Sequence, residues 1–88
     1  MGSYYVYILE CSDQTLYTGW TDDIEKRLHE HNGGRKGAKY TKSRRPVRVV
    51  HIERCADISD ALRREARIKS LSRAGKLELI RQATGDPT

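Results

Sequence analysis

The pattern of apolar and polar positions along the chain predicts six elements in the order strand, strand, helix, strand, helix, helix. Strands are expected where β-branched and aromatic residues cluster, over residues 4–9, 15–20 and 47–53. Helices are expected where apolar residues recur every three or four positions, over residues 22–31, 57–71 and 72–83. These elements predict one domain of the α+β class over residues 1–83, followed by a flexible tail at 84–88.

Short polar side chains stand at the predicted start of each helix, where their oxygens can accept from unpaired backbone N–H groups. The candidate caps are Thr21, Asp22 or Asp23 for the first helix, Asp57 or Ser59 for the second and Ser72 for the third. An Asn-Gly-Gly segment at 32–34 is expected to end the first helix. The side chains expected to face the core are Ile58, Ala61, Leu62 and Ile68 in the second helix, and Leu77 and Ile80 in the third.

The first two strands are separated by Ser-Asp-Gln at 12–14, a sequence that favours a hairpin turn. A three-residue loop places Tyr7 opposite Gly19 and Leu9 opposite Tyr17. Tyr7 and Tyr17 then lie diagonally on one face of the sheet, within reach of a common ligand. The alternative is that both phenols are structural and pack against the sheet with their hydroxyl groups at its rim.

Several side chains that could take part in catalysis lie near the junction of the second strand and the first helix. Arg27 and His31 are four residues apart, so they share one face of that helix. Tyr17 lies at the end of the preceding strand. A phenol, a guanidinium and an imidazole at this corner are suited to handling a phosphate group.

Glu65 falls on the apolar stripe of the second helix, between Leu62 and Ile68. A carboxylate on the core side of a helix is costly unless a cation, a hydrogen-bond donor or a metal ion meets it there. Three roles stay open at this point: a metal ligand, a salt bridge to an arginine such as Arg27, or a solvated position at the open edge of the stripe.

Composition narrows the class of protein. The 88 residues are 36% hydrophobic, and no apolar run approaches the length of a membrane span. No secretory signal peptide is visible, so a cytoplasmic protein is expected. Cys11 and Cys55 have neither metal-binding nor redox spacing, and are expected to be small buried side chains rather than a disulfide.

The net charge of +5 is concentrated between residues 33 and 48, which include no acidic residue. Cations neutralise phosphates, glycines let a backbone approach them closely, and an aromatic ring can stack on a base. The nucleic-acid-binding residues predicted on these grounds are Arg35, Lys36, Lys39, Tyr40, Lys42, Arg44 and Arg45. The alternative is a solvated loop that happens to be basic.

Several of these residues, in their order and spacing, resemble the GIY-YIG nuclease superfamily, above all its small single-domain bacterial branch. The likeness covers nearly the whole chain and is carried by Tyr5-Val6-Tyr7, Tyr17-Thr18-Gly19, Arg27, His31 and Glu65. The basic segment also resembles the nuclease domain of eukaryotic structure-specific endonuclease subunits. Tyr5 replaces the first glycine of the signature and Thr18 replaces an isoleucine, but neither position supplies reactive atoms in the family.

The resemblance implies a three-stranded antiparallel sheet flanked by helices. It also implies a metal-dependent endonuclease that hydrolyses DNA phosphodiester bonds in DNA repair, recombination or processing. One divalent ion, Mg²⁺ or Mn²⁺, would be held by Glu65, and Arg27 would grip a phosphate oxygen. Tyr7 is favoured as the general base, with Tyr17 binding the water or the phosphate. His31 would relay the proton or support the site.

The alternative function is a nucleic-acid-binding module without catalysis that uses the same tyrosines and basic segment. Glu65 discriminates between the two, because a carboxylate near a polyanion serves metal capture but opposes binding alone. The sequence leaves open whether the substrate is single-stranded, duplex or branched DNA, or RNA.

Overall fold

The computed structural model describes residues 3–33 and 36–84. The elements are β1 (Tyr4–Glu10), β2 (Leu16–Thr21), α1 (Ile24–Gly33), α2 (Lys39–Lys42), β3 (Arg48–Cys55), α3 (Ile58–Lys69) and α4 (Arg73–Thr84). The predicted α+β class and element order are confirmed, and the single helical turn α2 lies inside the segment expected to be a loop. None of the helices in the described ranges is long and apolar enough to cross a membrane.

The three strands form an antiparallel sheet in the order β2-β1-β3. The hairpin register is the predicted one, since Tyr7 pairs with Gly19 and Leu9 pairs with Tyr17. Side chains alternate between the two faces of a strand, so Tyr7 and Tyr17 lie on the same face. The turn chemistry of the hairpin therefore determines which residues can meet at a site on that face.

Helices cover both faces of the sheet. On one face, strand residues pack against Ala61 and Ile68 of α3 and against Leu79 and Ile80 of α4. On the other face, a cluster that includes Tyr7 packs against Ile24 and Leu28 of α1. Both cysteines are buried and free, as predicted.

Three of the candidate caps form. The Asp23 carboxylate accepts from the backbone N–H of Lys26 at 3.1 Å at the start of α1, and Asp57 accepts from Asp60 at 2.7 Å at the start of α3. The Ser72 hydroxyl accepts from Gly75 at 3.1 Å before α4. Helix α1 continues to Gly33, two residues beyond its predicted end. None of the described glycines has a positive φ, and Gly34 lies outside the described residues.

Fewer side chains of α3 and α4 face the core than the sequence predicted. Ala61 and Ile68 are fully buried, but Ile58, Leu62 and Leu77 are exposed by 44%, 47% and 42%. A sheet of three strands covers only the centre of each helix face, so the side chains at the flanks stay in solvent. These three core assignments are therefore wrong.

The N-terminal cap of α3 is open to a direct test. Replacing Asp57 with alanine removes the oxygen that Asp60 N–H needs, so we expect Asp57→Ala to lower the free energy of unfolding in urea by about 1 kcal/mol. Ser59→Ala is the matched control, because among the described residues the Ser59 hydroxyl accepts a hydrogen bond from the exposed Arg63 guanidinium alone. Its effect should stay within about 0.5 kcal/mol. Equal losses in the two variants would contradict the assignment of the cap.

Candidate active site

A buried hydrogen bond between Tyr7 and His31 lies at the centre of the site. Tyr7 projects from β1 and His31 from the last turn of α1, and both side chains are buried. The Tyr7 hydroxyl oxygen lies 2.9 Å from His31 Nε2, and the two rings meet edge to face. The strand and the helix are thus joined by two groups that can exchange a proton.

The absence of a side chain at Gly19 makes room for the Tyr7 ring. A Cβ at Gly19 would lie 2.5 Å from the Tyr7 hydroxyl oxygen and 2.7 Å from its Cζ. The φ of Gly19 is not positive, so the requirement for glycine comes from space and not from backbone conformation. Because Tyr7 and Gly19 are directly paired across the hairpin, the strand register brings the phenol over the glycine.

Burial raises the pKa of the Tyr7 phenol from 10.0 to about 12. Hydrogen bonding and the positive charge of Arg27 oppose this increase, whereas the charges of Tyr17 and Glu65 add to it. These four side chains are therefore close enough to interact electrostatically. A phenol with this pKa is protonated at neutral pH and can act as a base only if it passes its own proton on.

His31 Nε2, 2.9 Å from the phenol oxygen, is in position to accept that proton. Burial and the positive charge of Arg27 lower the pKa of His31 from 6.5 to about 4, although Glu30 partly opposes the shift. The imidazole is consequently neutral at pH 7, and one of its two nitrogens carries a free lone pair.

Arg27 is held in place from two sides. Its Nη1 donates to the Glu30 carboxylate at 2.9 Å and to the backbone carbonyl of Lys36 at 2.6 Å. Burial lowers the pKa of Arg27, but its hydrogen bonds to Glu30 and Tyr7 outweigh that effect and raise the pKa above its usual value. The side chain is 27% exposed, so a fixed positive charge next to Tyr7 remains accessible from solvent.

Glu65 pairs with Lys69 on its own helix rather than with Arg27. The Oε2–Nζ distance is 3.3 Å, and the side chain of Glu65 is only 17% exposed. Lys69 is half exposed, and such a pair adds little stability, so a stronger cation could replace it. Within residues 3–33 and 36–84, no group of three or more His, Cys, Asp or Glu side chains is arranged so that it could hold a metal ion. A lone carboxylate still fits Mg²⁺, which binds one or two carboxylates and fills its other positions with water and substrate oxygens.

Tyr17 belongs to an aromatic stack at the edge of the site. Its ring packs on Tyr40 at 5.8 Å between centroids and meets His31 edge to face at 5.3 Å. The Arg44 guanidinium lies 4.0 Å from the centre of the Tyr40 ring and pairs with Asp13 at 3.1 Å. Tyr40 and Arg44, both expected to contact nucleic acid, therefore also contact the protein itself.

The basic segment divides into inward-bonded and exposed cations. Arg45 donates to the backbone carbonyls of His31 at 2.6 Å and Glu30 at 3.2 Å, at the C-terminal end of α1. Lys36, Lys39 and Lys42 are exposed, and none of them forms a salt bridge within the described part of the chain. Arg35, also predicted to bind nucleic acid, lies outside the described residues.

Two residues of the site were missed by the sequence analysis. Thr41 is completely buried, and its hydroxyl oxygen lies 2.8 Å from His31 Nδ1. At Gly37, a Cβ would lie 2.6 Å from the carbonyl oxygen of Glu30, so only glycine lets the segment rest on α1. The run of cations around these residues favours an interpretation by charge, whereas the small residues Gly37 and Ala38 before α2 are a local sign of close packing.

Comparison with known proteins shows the family to which the chain belongs. A sequence model of the GIY-YIG catalytic domain matches residues 3–78. A UPF0213 protein from Syntrophus aciditrophicus is 67% identical over 82 residues, which cover 93% of this chain and 94% of that protein. A UPF0213 protein from Natronomonas pharaonis is 54% identical over 82 residues and covers 93% of this chain and 95% of its own length.

Two solved structures are similar as well. The solution NMR structure of a UPF0213 protein from Bacillus halodurans is 42% identical, with a TM-score of 0.60, and covers 97% of this chain and 88% of its own. The solution NMR structure of a protein from E. faecalis is 37% identical, with a TM-score of 0.66, and covers 100% of this chain and 93% of its own.

A side chain added at Gly19 tests whether the Tyr7 ring lies directly over this residue. Gly19→Ala would push the Tyr7 phenol away from His31, and we expect a loss of about 1 to 3 kcal/mol in the free energy of unfolding, measured in urea. Gly33→Ala is the matched control, because nothing lies within 4 Å of a Cβ at that position. An unchanged Gly19→Ala protein would show that the phenol does not lie over the glycine.

The neutral state of His31 predicts how stability depends on pH. The unfolded chain takes up a proton on this imidazole below pH 6.5, whereas the folded chain takes it up only near pH 4. The free energy of unfolding should therefore fall as the pH is lowered, by about 1 to 2 kcal/mol between pH 6.5 and pH 5 on account of this group. Urea unfolding at a series of pH values measures the slope.

Two variants test whether His31 causes this pH dependence of the free energy of unfolding. His29→Gln, at an exposed position on the same helix, should keep the pH dependence, and His31→Gln should lose the part that comes from His31. A slope that disappears in His29→Gln would contradict the assignment.

Proposed function

Because the chain belongs to the GIY-YIG catalytic domain family, we propose that it is a metal-dependent endonuclease that hydrolyses DNA phosphodiester bonds. The family supports nuclease activity in general, and the UPF0213 names of its relatives specify no substrate. Cleavage of DNA in repair, recombination or other DNA processing is the specific role proposed for this chain.

The observation that carries the proposal is the interaction of four groups around one phenol. Tyr7 shares a hydrogen bond with His31, and its pKa responds to the charges of Arg27, Tyr17 and Glu65. A fold that needed Tyr7 only for packing would have no reason to place a proton acceptor in hydrogen-bond contact with its hydroxyl group, or a cation and a carboxylate near enough to affect its pKa. Phosphodiester hydrolysis uses all three.

Arg27 would bind the scissile phosphate. Its guanidinium presents several donors in one plane, which match the non-bridging oxygens of a phosphate. Glu30 and the Lys36 carbonyl already hold Nη1, so the side chain is oriented before the substrate arrives. Tyr17, next to His31, would hold the phosphate or the attacking water from the other side.

Glu65 would hold one divalent ion, either Mg²⁺ or Mn²⁺. Such an ion would stabilise negative charge on the phosphate and on the departing 3′ oxygen. Lys69 would be displaced from its pair with Glu65 and would remain close as an additional positive charge.

Tyr7 would activate the water. The phenol takes a proton from the attacking water and gives its own proton to His31 Nε2, so a free phenolate does not accumulate. Burial and the positive charge of Arg27 lower the pKa of His31, and a negative phosphate bound at Arg27 would offset the second of these effects, so bound substrate favours this transfer.

DNA would reach the site along the basic segment. The exposed lysines Lys36, Lys39 and Lys42 would contact phosphates, and Arg35 is proposed to join them. Tyr40 and Arg44, which stack on each other beside Tyr17, would contact the nucleic acid with their exposed parts. Arg45 would contribute indirectly by holding the end of α1.

Cleavage assays with plasmid and oligonucleotide DNA test the proposal. The parent protein should cut in the presence of Mg²⁺ or Mn²⁺ and be inactive in excess chelator. Glu65→Gln and Arg27→Ala should each reduce the cleavage rate by roughly a hundredfold or more, because each removes a charge that acts on the reacting phosphate. Single-stranded, duplex and flap substrates, with RNA as a comparison, identify the preferred one.

Glu78→Gln is the matched control for Glu65→Gln. Glu78 also pairs with a cation on its own helix, Arg81, but it is exposed and lies outside the site. This variant should cut like the parent. A folded Glu65→Gln protein with parental activity would refute the role of Glu65, whereas metal-independent binding to every substrate without cleavage would favour a nucleic-acid-binding module.

A further inference from the structure

Thr41 is the buried end of a chain of hydrogen bonds that begins at Tyr7. The segment after α1 folds back onto that helix at Gly37, and the turn α2 then places Thr41 against the imidazole of His31. Thr41 is 0% exposed and lies among cations that face solvent. Its hydroxyl oxygen is 2.8 Å from His31 Nδ1 and 2.9 Å from the carbonyl oxygen of Ala38.

The direction of each hydrogen bond follows from the protons available. The Tyr7 hydroxyl has a single proton, and a hydroxyl group away from solvent needs a hydrogen-bond acceptor for it. Tyr7 is buried, and His31 Nε2 at 2.9 Å offers that acceptor. Nε2 must then be unprotonated, and in a neutral imidazole the proton is consequently on Nδ1.

The Thr41 end of the chain favours the same direction independently of Tyr7. The hydroxyl has one proton, and donating it to the Ala38 carbonyl leaves the oxygen free to accept from His31 Nδ1–H. A threonine hydroxyl commonly donates to a carbonyl three or four residues earlier in a helical turn. The backbone N–H of Ala38 also faces Nδ1 and would favour an unprotonated Nδ1. At 3.4 Å this hydrogen bond is weaker than the two shorter ones, so it does not reverse the assignment.

We propose that Thr41 is a positioning residue that holds His31 in the Nδ1–H tautomer, so that Nε2 is ready to accept the proton of Tyr7. Its role in catalysis rests on the proposed nuclease function, whereas the assignment of the tautomer does not. The partner of the second ring nitrogen generally determines which nitrogen carries the proton.

In the reaction, every proton then has a defined destination. A water O–H bond breaks and its proton moves to the Tyr7 oxygen, while the Tyr7 proton moves to His31 Nε2. The water oxygen forms a bond to phosphorus, and the bond from phosphorus to the 3′ oxygen breaks with its electron pair. The 3′ oxygen takes a proton from solvent, and His31 later returns its proton to solvent. Throughout, Nδ1–H stays bonded to Thr41.

Nitrogen-15 NMR of protein labelled at histidine tests the tautomer directly. In the parent, the two His31 nitrogens should show a protonated Nδ1 and an unprotonated Nε2. Thr41→Val keeps the shape of the side chain but removes the acceptor, so it should shift His31 toward the Nε2–H form. Thr41→Ser keeps the hydroxyl and should restore the parental pattern.

Cleavage kinetics test the catalytic consequence. Thr41→Val should lower kcat by about ten- to a hundredfold with little change in KM, as is typical when the partner that orients a catalytic group is lost. Thr41→Ser should stay close to the parent. Ser43→Ala removes a neighbouring exposed hydroxyl whose one hydrogen bond within the described part of the chain is from Arg44 at 3.5 Å, and should have no effect on either measurement.

The NMR and kinetic results separate the tautomer from its catalytic consequence. A parental spectrum with Nε2 protonated overturns the proposal without any variant, even if Thr41→Val fails to fold. A His31 pattern that is unchanged in Thr41→Val also overturns it. A shifted tautomer with unchanged kcat overturns only the catalytic consequence. If the protein cuts no substrate, the nuclease function fails while the NMR result still decides the tautomer.

Discussion

The hydrogen bond between Tyr7 and His31 is the contact on which the arrangement of the site depends. It joins the central strand of the sheet to the helix that covers one face, and it forms only because Gly19 leaves room for the phenol. Burial then changes both partners in complementary directions, raising the pKa of Tyr7 and lowering the pKa of His31. A protonated phenol thus faces a neutral imidazole, and no charge is buried without a partner while the site waits for substrate.

The surrounding groups are held by contacts that also stabilise the fold. Arg27 is fixed by Glu30 of the same helix and by the backbone at Lys36, and the end of that helix is held by Arg45. The segment that would meet nucleic acid is therefore packed onto the helix that carries Arg27 and His31. A substitution in this segment would therefore alter the positions of Arg27 and His31, because hydrogen bonds join the segment to the helix that carries them.

The hairpin and its register could be predicted because they depend on local rules. A three-residue turn and alternation of side chains were enough to place Tyr7 opposite Gly19. The position of Thr41 could not be predicted in this way, since it depends on how the segment after α1 folds back. For Arg45, charge predicted a contact with nucleic acid, and the structure adds hydrogen bonds to the carbonyls at the end of α1 that the sequence does not reveal. For Glu65, helical spacing left three roles open, and the structure adds its pair with Lys69 and its effect on Tyr7.

The burial of the two thiols has a practical consequence. Cys11 and Cys55 are both buried, and burial raises the pKa of each, so little of the reactive thiolate is present at neutral pH. A maleimide reagent would therefore modify an added surface cysteine much faster than either native one. Fluorescent labels can be attached at chosen positions while both natural cysteines are retained, which leaves the packing on each side of the sheet undisturbed.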